Sequence, residues 1–139
     1  MTDPEQRNGD GSPASLARAS FGAGRFATVV GEERAGDWAV VLVLANEAPN
    51  LVPDETVFRR DGGRWEDIAG NDSPGWRSTD DGQGFVTFWG EAPDGASQVT
   101  VSYRGVTVRV PVVSRYFLAV FWGIPESDFD PAILPHLST

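Results

Sequence analysis

Cysteine and lysine are both absent from this chain of 139 residues, and histidine and methionine occur once each. Without cysteine there are no disulfides, thiolate nucleophiles, iron–sulfur clusters or cysteine zinc sites. Without lysine, Schiff-base and Ser-Lys chemistry are excluded. A Ser-His-Asp arrangement or a histidine metal site would have to use His136, close to the C-terminal end in a segment expected to be loosely held. Catalysis needs a base locked by packing, so His136 is read as a tail residue without a role. No apolar run reaches the roughly eighteen residues of a membrane-spanning helix, and residues 1–20 lack the basic start and apolar centre of a signal peptide. A cytoplasmic location is the expectation. All 11 basic residues are arginine, which reads as the codon bias of a GC-rich bacterial genome, so the choice of Arg over Lys carries no functional information.

What is present is acid and aromatic area. Twenty Asp and Glu give a net charge of -9, which repels phosphate backbones and anionic lipid, so neither nucleic acid nor membrane is an expected partner. Hydrophobic residues at 40%, with 5 Trp and 8 Phe, are enough for one packed interior. Residues 1–20 are polar, carry Pro and Gly, and show no apolar periodicity, so they read as a disordered tail in which a short helix near 15–19 could not persist alone. The organisation expected is a single domain over residues 21–134 and a C-terminal tail over 135–139.

From residue 26 the texture is of short runs rich in Val, Thr, Phe and Trp, punctuated by Gly, Asp and Asn about every 8 to 12 residues. Strands are predicted at 26–32, 38–45, 56–60, 64–68, 76–78, 85–90, 98–103, 106–112 and 116–122. Asp61, Gly62 and Gly63 are predicted to form a three-residue hairpin connection, and Arg104 and Gly105 a tight two-residue turn. Pro111 cannot donate to a ladder, so its nitrogen should face solvent or a bulge. The runs 38–45 and 116–122 are apolar on both faces and are predicted to be paired central strands. Eight or nine short strands without a long amphipathic helix imply an all-β antiparallel two-sheet sandwich, with a small closed barrel as the alternative. A central Trp followed by alternating Val and Leu resembles immunoglobulin-type texture over residues 26–125, although the sheet-bridging cysteines and the tyrosine corner are lacking.

Most acids fall in turns, where Asp bonds to nearby backbone, and nothing selects a catalytic pair; a carboxylate-based hydrolase is the third-ranked function. Asn71, Asp72, Asp80 and Asp81, in the turns bracketing Trp76, are weak calcium candidates because adjoining sandwich loops with oxygen ligands can hold that ion. No cofactor is expected. Trp38, Trp65 and Trp122 lie in strand runs and are read as core. Trp76 follows a Pro-Gly turn in a polar stretch and is the best candidate for exposure, and Trp89 shares a strand face with Phe85 and Thr87 that could point outward. Trp76, Arg77 and Trp89, with Arg59 and Arg60, are therefore the candidate contact residues. Two readings follow: a non-catalytic interaction domain that binds another protein through an aromatic patch or a sheet edge, and a small-ligand or carbohydrate binder with Trp76 and Trp89 lining a groove.

Overall fold

The computed structural model describes residues 11–19, 27–47, 50–70, 73–79 and 82–139. It bears out the all-β sandwich reading and removes the closed barrel: the described strands lie in three antiparallel sheets, beside one short α-helix and one 3-10 turn. The chain divides into two compact units, Met1–Gly70 and Asn71–Thr139. The calcium candidates Asn71, Asp72, Asp80 and Asp81 lie outside the described residues.

In the first unit, β1 (Ala27–Ala35), β2 (Trp38–Glu47), β3 (Asn50–Asp61) and β4 (Arg64–Ala69) form a meander in sequence order. Two-residue turns fix the β1–β2 and β3–β4 pairings. Gly62 and Gly63 both have positive φ, 60° and 81°, the pattern of a type I′ turn, so Asp61 joins the ladder opposite Arg64. Gly36 (φ 58°) opens the β1–β2 turn and sets Ala35 opposite Trp38. Residues Ala39 to Ala45 are all at most 1 % exposed, so β2 is central and buried on both faces, as its sequence implies. β3 begins earlier than the predicted residue 56 and runs through Pro53. The Arg60 amide donates to Asp37 O on the β2 side (2.7 Å), and every second residue back along β3 faces the same way. The Pro53 nitrogen therefore points away from β2, past the end of β4 at Ala69, where no N–H is needed.

Pro13–Ala19, read from sequence as tail, form a helix, α1. Ser12 caps it, its Oγ accepting the Ser15 amide at 3.2 Å, and proline occupies the first turn. Seven residues cannot hold a helix alone. Here the Ala14 amide donates to Glu32 Oε1 of β1 (3.0 Å), and Ala17, 1 % exposed, packs into a cluster with Ala39, Val41, Val43 and Phe58.

The second unit is itself a two-sheet sandwich. One sheet has the order β5 (Gly75–Ser78), β6 (Gly84–Glu91), β9 (Tyr116–Trp122); the other has β10 (His136–Ser138), β7 (Gln98–Tyr103), β8 (Val106–Pro111). Val86, Phe88, Phe117, Ala119 and Phe121 from the first sheet meet Val99, Val101, Tyr103 and Val110 from the second in a buried core. Phe88, Tyr103 and Phe121 contact one another there with ring centroids 4.9 to 5.8 Å apart, in tilted or edge-on geometry. The C-terminal segment is not wholly tail, since His136–Ser138 pair with β7. Val112 donates to Ser97 O, so Pro111 faces the free edge of β8, the place its missing N–H requires.

The predicted pairing of β2 with β9 does not occur. β2 pairs with β1 on one side and β3 on the other, leaving it no free edge, and β9 pairs with β6.

Ser114 and Arg115 form the turn leading into β9, with φ of 50° and 76°, and Val113 and Tyr116 exchange backbone hydrogen bonds across it (2.9 and 3.0 Å). Two consecutive non-glycine residues in the left-handed region are unfavourable. The replacement Ser114→Asn with Arg115→Gly suits a type I′ turn and is expected to stabilise the protein by about 1 kcal/mol, even after loss of the exposed Arg115–Glu91 ion pair, read as a higher urea midpoint with unchanged slope.

Candidate interaction surface

The hairpin arithmetic of the first unit assembles a cationic and aromatic surface. Because Asp61 pairs with Arg64, Arg60 stands directly opposite Trp65. The Arg60 guanidinium lies 4.9 Å from the Trp65 ring centroid, and that of Arg34 on β1 lies 5.4 Å from it. Each cation is held by an acid of the β1–β2 hairpin: Arg60 Nε donates to Asp37 Oδ1 (3.1 Å) and its Nη2 to Gly36 O (3.4 Å), while Arg34 donates to Glu32. Trp65 is half-buried, one part packed on the cluster beneath α1. The two arginine side chains keep 45% and 41% of their surface in water. On the opposite face of the sheet Arg59 lies 5.8 Å from the Trp38 ring, in register with it.

Cation–π contacts of this kind contribute about 0.5–1 kcal/mol each at exposed sites, and their larger effect is to fix long side chains before any partner arrives. Trp and Arg are the residues most enriched among energetic hot spots of interfaces. Arg59 and Arg60 were candidates from sequence, whereas Trp65 was assigned to the core and Arg34 was passed over. The three-residue connection expected from the sequence would set Arg60 against Arg64; the two glycines instead form a two-residue turn, Asp61 enters the ladder, and Arg60 falls against Trp65.

The candidates of the second unit are dispersed. Trp76 stands opposite Val86 on the inner face; its ring covers Gly84 and its Nε1 donates to Ile124 O (2.8 Å), so it closes the end of the core and is half-buried. Trp89 alternates with Phe88 and so lies on the other face, where its backbone N–H and carbonyl bond to Ser73 Oγ (2.9 Å each). Trp76 and Trp89 therefore do not line one groove. The face of β6 that could have pointed outward is buried along most of its length, with Phe85 at 0% and Thr87 at 3% exposure, and Trp89 itself is half-buried. Arg77, opposite Phe85, is half-buried on that same face. The Phe85 ring meets Trp122 at 4.8 Å.

No group of three His, Cys, Asp or Glu suited to a metal ion occurs among the described residues. Nor, among them, is any helix long and apolar enough to cross a membrane. An open depression beside α1 is lined by Ser15, Arg18, Ala19 and Ala27 and offers one charged side chain.

Burial pushes Glu33 above the usual carboxylate range, and its negative neighbour Glu32 adds to the shift. A carboxyl that binds its proton more tightly when folded does no harm below its unfolded pKa, where both states are protonated, and lowers stability as pH rises through the folded value. Glu33→Gln is therefore expected to raise the melting temperature at neutral pH, with the gain shrinking toward zero in acid; a gain independent of pH would exclude this cause.

No protein-family model matches the chain, and comparison with curated proteins and with solved structures finds no match either.

Proposed function

We propose that this chain is a non-catalytic interaction domain of the cytoplasm that binds another protein through the surface formed by Arg34, Trp65 and Arg60. The observation that carries this reading is a half-buried tryptophan flanked by two arginines, each anchored by an acid and each substantially exposed. Rigid Trp–Arg surfaces lose little side-chain entropy on binding. Of the sequence-derived candidates, this surface uses Arg60; Trp76 serves the core of its own unit.

The test is affinity capture from the native cell with the wild-type chain, followed by calorimetry on the purified partner with Trp65→Ala, Arg60→Ala and Trp89→Ala. Trp65→Ala is expected to weaken binding by about 2 kcal/mol, roughly thirtyfold, and Trp89→Ala to leave it unchanged. A partner held equally by wild type and Trp65→Ala would sink the proposal. Saturable tryptophan quenching by a glycan or metabolite, with no protein captured, would favour the small-ligand reading instead.

A further inference from the structure

The outer face of the β10–β7–β8 sheet carries no acidic side chain, on a chain with 20 of them. Its inward positions, Val99, Val101 and Val110 among them, are buried in the core, so the alternate positions face solvent. Register sets these into cross-strand rows. His136, Ser102 and Thr107 form one, and Ser138, Thr100 and Arg109 the next. All are polar, and the pairs are tied laterally, Ser102 Oγ to Thr107 Oγ1 at 2.9 Å.

Arg109 is the centre of this face. Its Nε donates to Gln98 Oε1 and its Nη1 to Thr100 Oγ1 (2.9 Å), so the guanidinium is laid flat across β7 and held there. Two of its five N–H donors are used in this way, which leaves about three for an external acceptor. A charge held in position gives up little freedom on binding.

We propose that this face binds the carboxylates of an acidic polypeptide segment, centred on Arg109 and independent of the Trp65 surface. The absence of acids supplies the charge complementarity, and screening over about 8 Å at physiological ionic strength lets the local charge prevail over the distant net charge. The form of the surface selects a peptide rather than a free ion. Gln98, Thr107, Arg109, His136 and Ser138 are exposed along it, a strand-length row of polar groups such as an extended chain can follow. Its rows repeat about every 7 Å along the strands, the spacing of alternate side chains in an extended chain, so a carboxylate on Arg109 places the next alternate side chain over the hydroxyls of Ser102 and Thr107.

The experiment is an amide NMR titration of the full chain with a short synthetic peptide alternating Glu and Thr, beside a Gln–Thr peptide and inorganic phosphate. Shifts are expected at Thr100, Ser102, Thr107 and Arg109 with the Glu–Thr peptide and not with the Gln–Thr peptide. Arg109→Gln should weaken binding by about tenfold or more, since a charged hydrogen bond is lost. Thr107→Glu should abolish it, and Arg104→Gln, in the adjoining turn and paired with Asp128, should leave it unchanged. Absence of shifts, shifts that map elsewhere, or shifts that persist in Arg109→Gln would overturn the proposal. Phosphate producing the same shifts at the same concentration would also overturn it, by showing a bare anion contact that a peptide does not improve.

Discussion

Replacing Gly70 with alanine is expected to destabilise the protein by about 3 kcal/mol or more, at or above the upper end of overpacking effects. A Cβ at Gly70 would stand 1.9 Å from Glu55 O, 3.0 Å from Glu55 C and 3.2 Å from Thr56 Cα. All three are backbone atoms in β3, and their residues are paired with Leu42 and Val41 of β2, so the obstruction cannot rotate away as a side chain would. Relief requires either the end of β4 to part from Val57 or β3 to shift its register against the buried central strand. Gly62 is the control. Its φ is 60° and nothing lies near its Cβ position, so Gly62→Ala meets only the left-handed backbone penalty, about 1–2 kcal/mol. Urea midpoints for the two variants, at constant slope, decide the matter. Equal effects would show that the close approach at Gly70 is not rigid.

The second large effect is expected at Trp76. Trp76→Ala should lose about 3–5 kcal/mol, the range for removing a large aromatic from a core, although this residue sits in a stretch whose composition is that of a surface loop. The ring lies on Gly84, where any Cβ would come within 2.4 Å of the indole nitrogen, and its N–H bonds to Ile124 O. Gly84 O in turn accepts the amides of Gly123 and Ile124 (2.9 Å each), so strand start, ring and loop form one closure. Trp76→Phe keeps most of the apolar area and leaves the Ile124 carbonyl without its indole donor, so a loss of about 1–3 kcal/mol is expected. Alanine and phenylalanine variants that melt alike would mean the hydrogen bond, not ring packing, dominates.

These residues show where sequence reasoning reaches and where it stops. β7 and β9 occupy the predicted ranges, Gln98–Tyr103 and Tyr116–Trp122, because alternation and apolar runs are local properties. Pro111 was expected from its chemistry to turn its nitrogen to solvent or a bulge, and it faces the free edge of β8. The helix Pro13–Ala19 was missed although Ser12 and Pro13 are a helix-start signature, since seven residues become helical only when Glu32 and the face around Ala17 receive them. Trp76, expected to be exposed, and Trp65, expected in the core, are both half-buried, each packed against the edge of a core cluster. A tryptophan after a Pro-Gly turn reads as exposed and one inside a strand reads as buried, yet neither reading knows which rows a neighbouring strand will cover.

The absences in the composition, the all-β class, and the turn-bound pairings from Ala35 opposite Trp38 to Tyr103 opposite Val106 were determined by the sequence itself. Inventory is exhaustive, and a two-residue turn commits its flanking residues without reference to the rest of the chain. Only the tertiary structure decided that β9 joins β6, that β10 completes the sheet of β7, and that Arg109 lies on an acid-free face. Non-local pairing is chosen by the burial of many apolar faces at once, a collective quantity that no single segment carries.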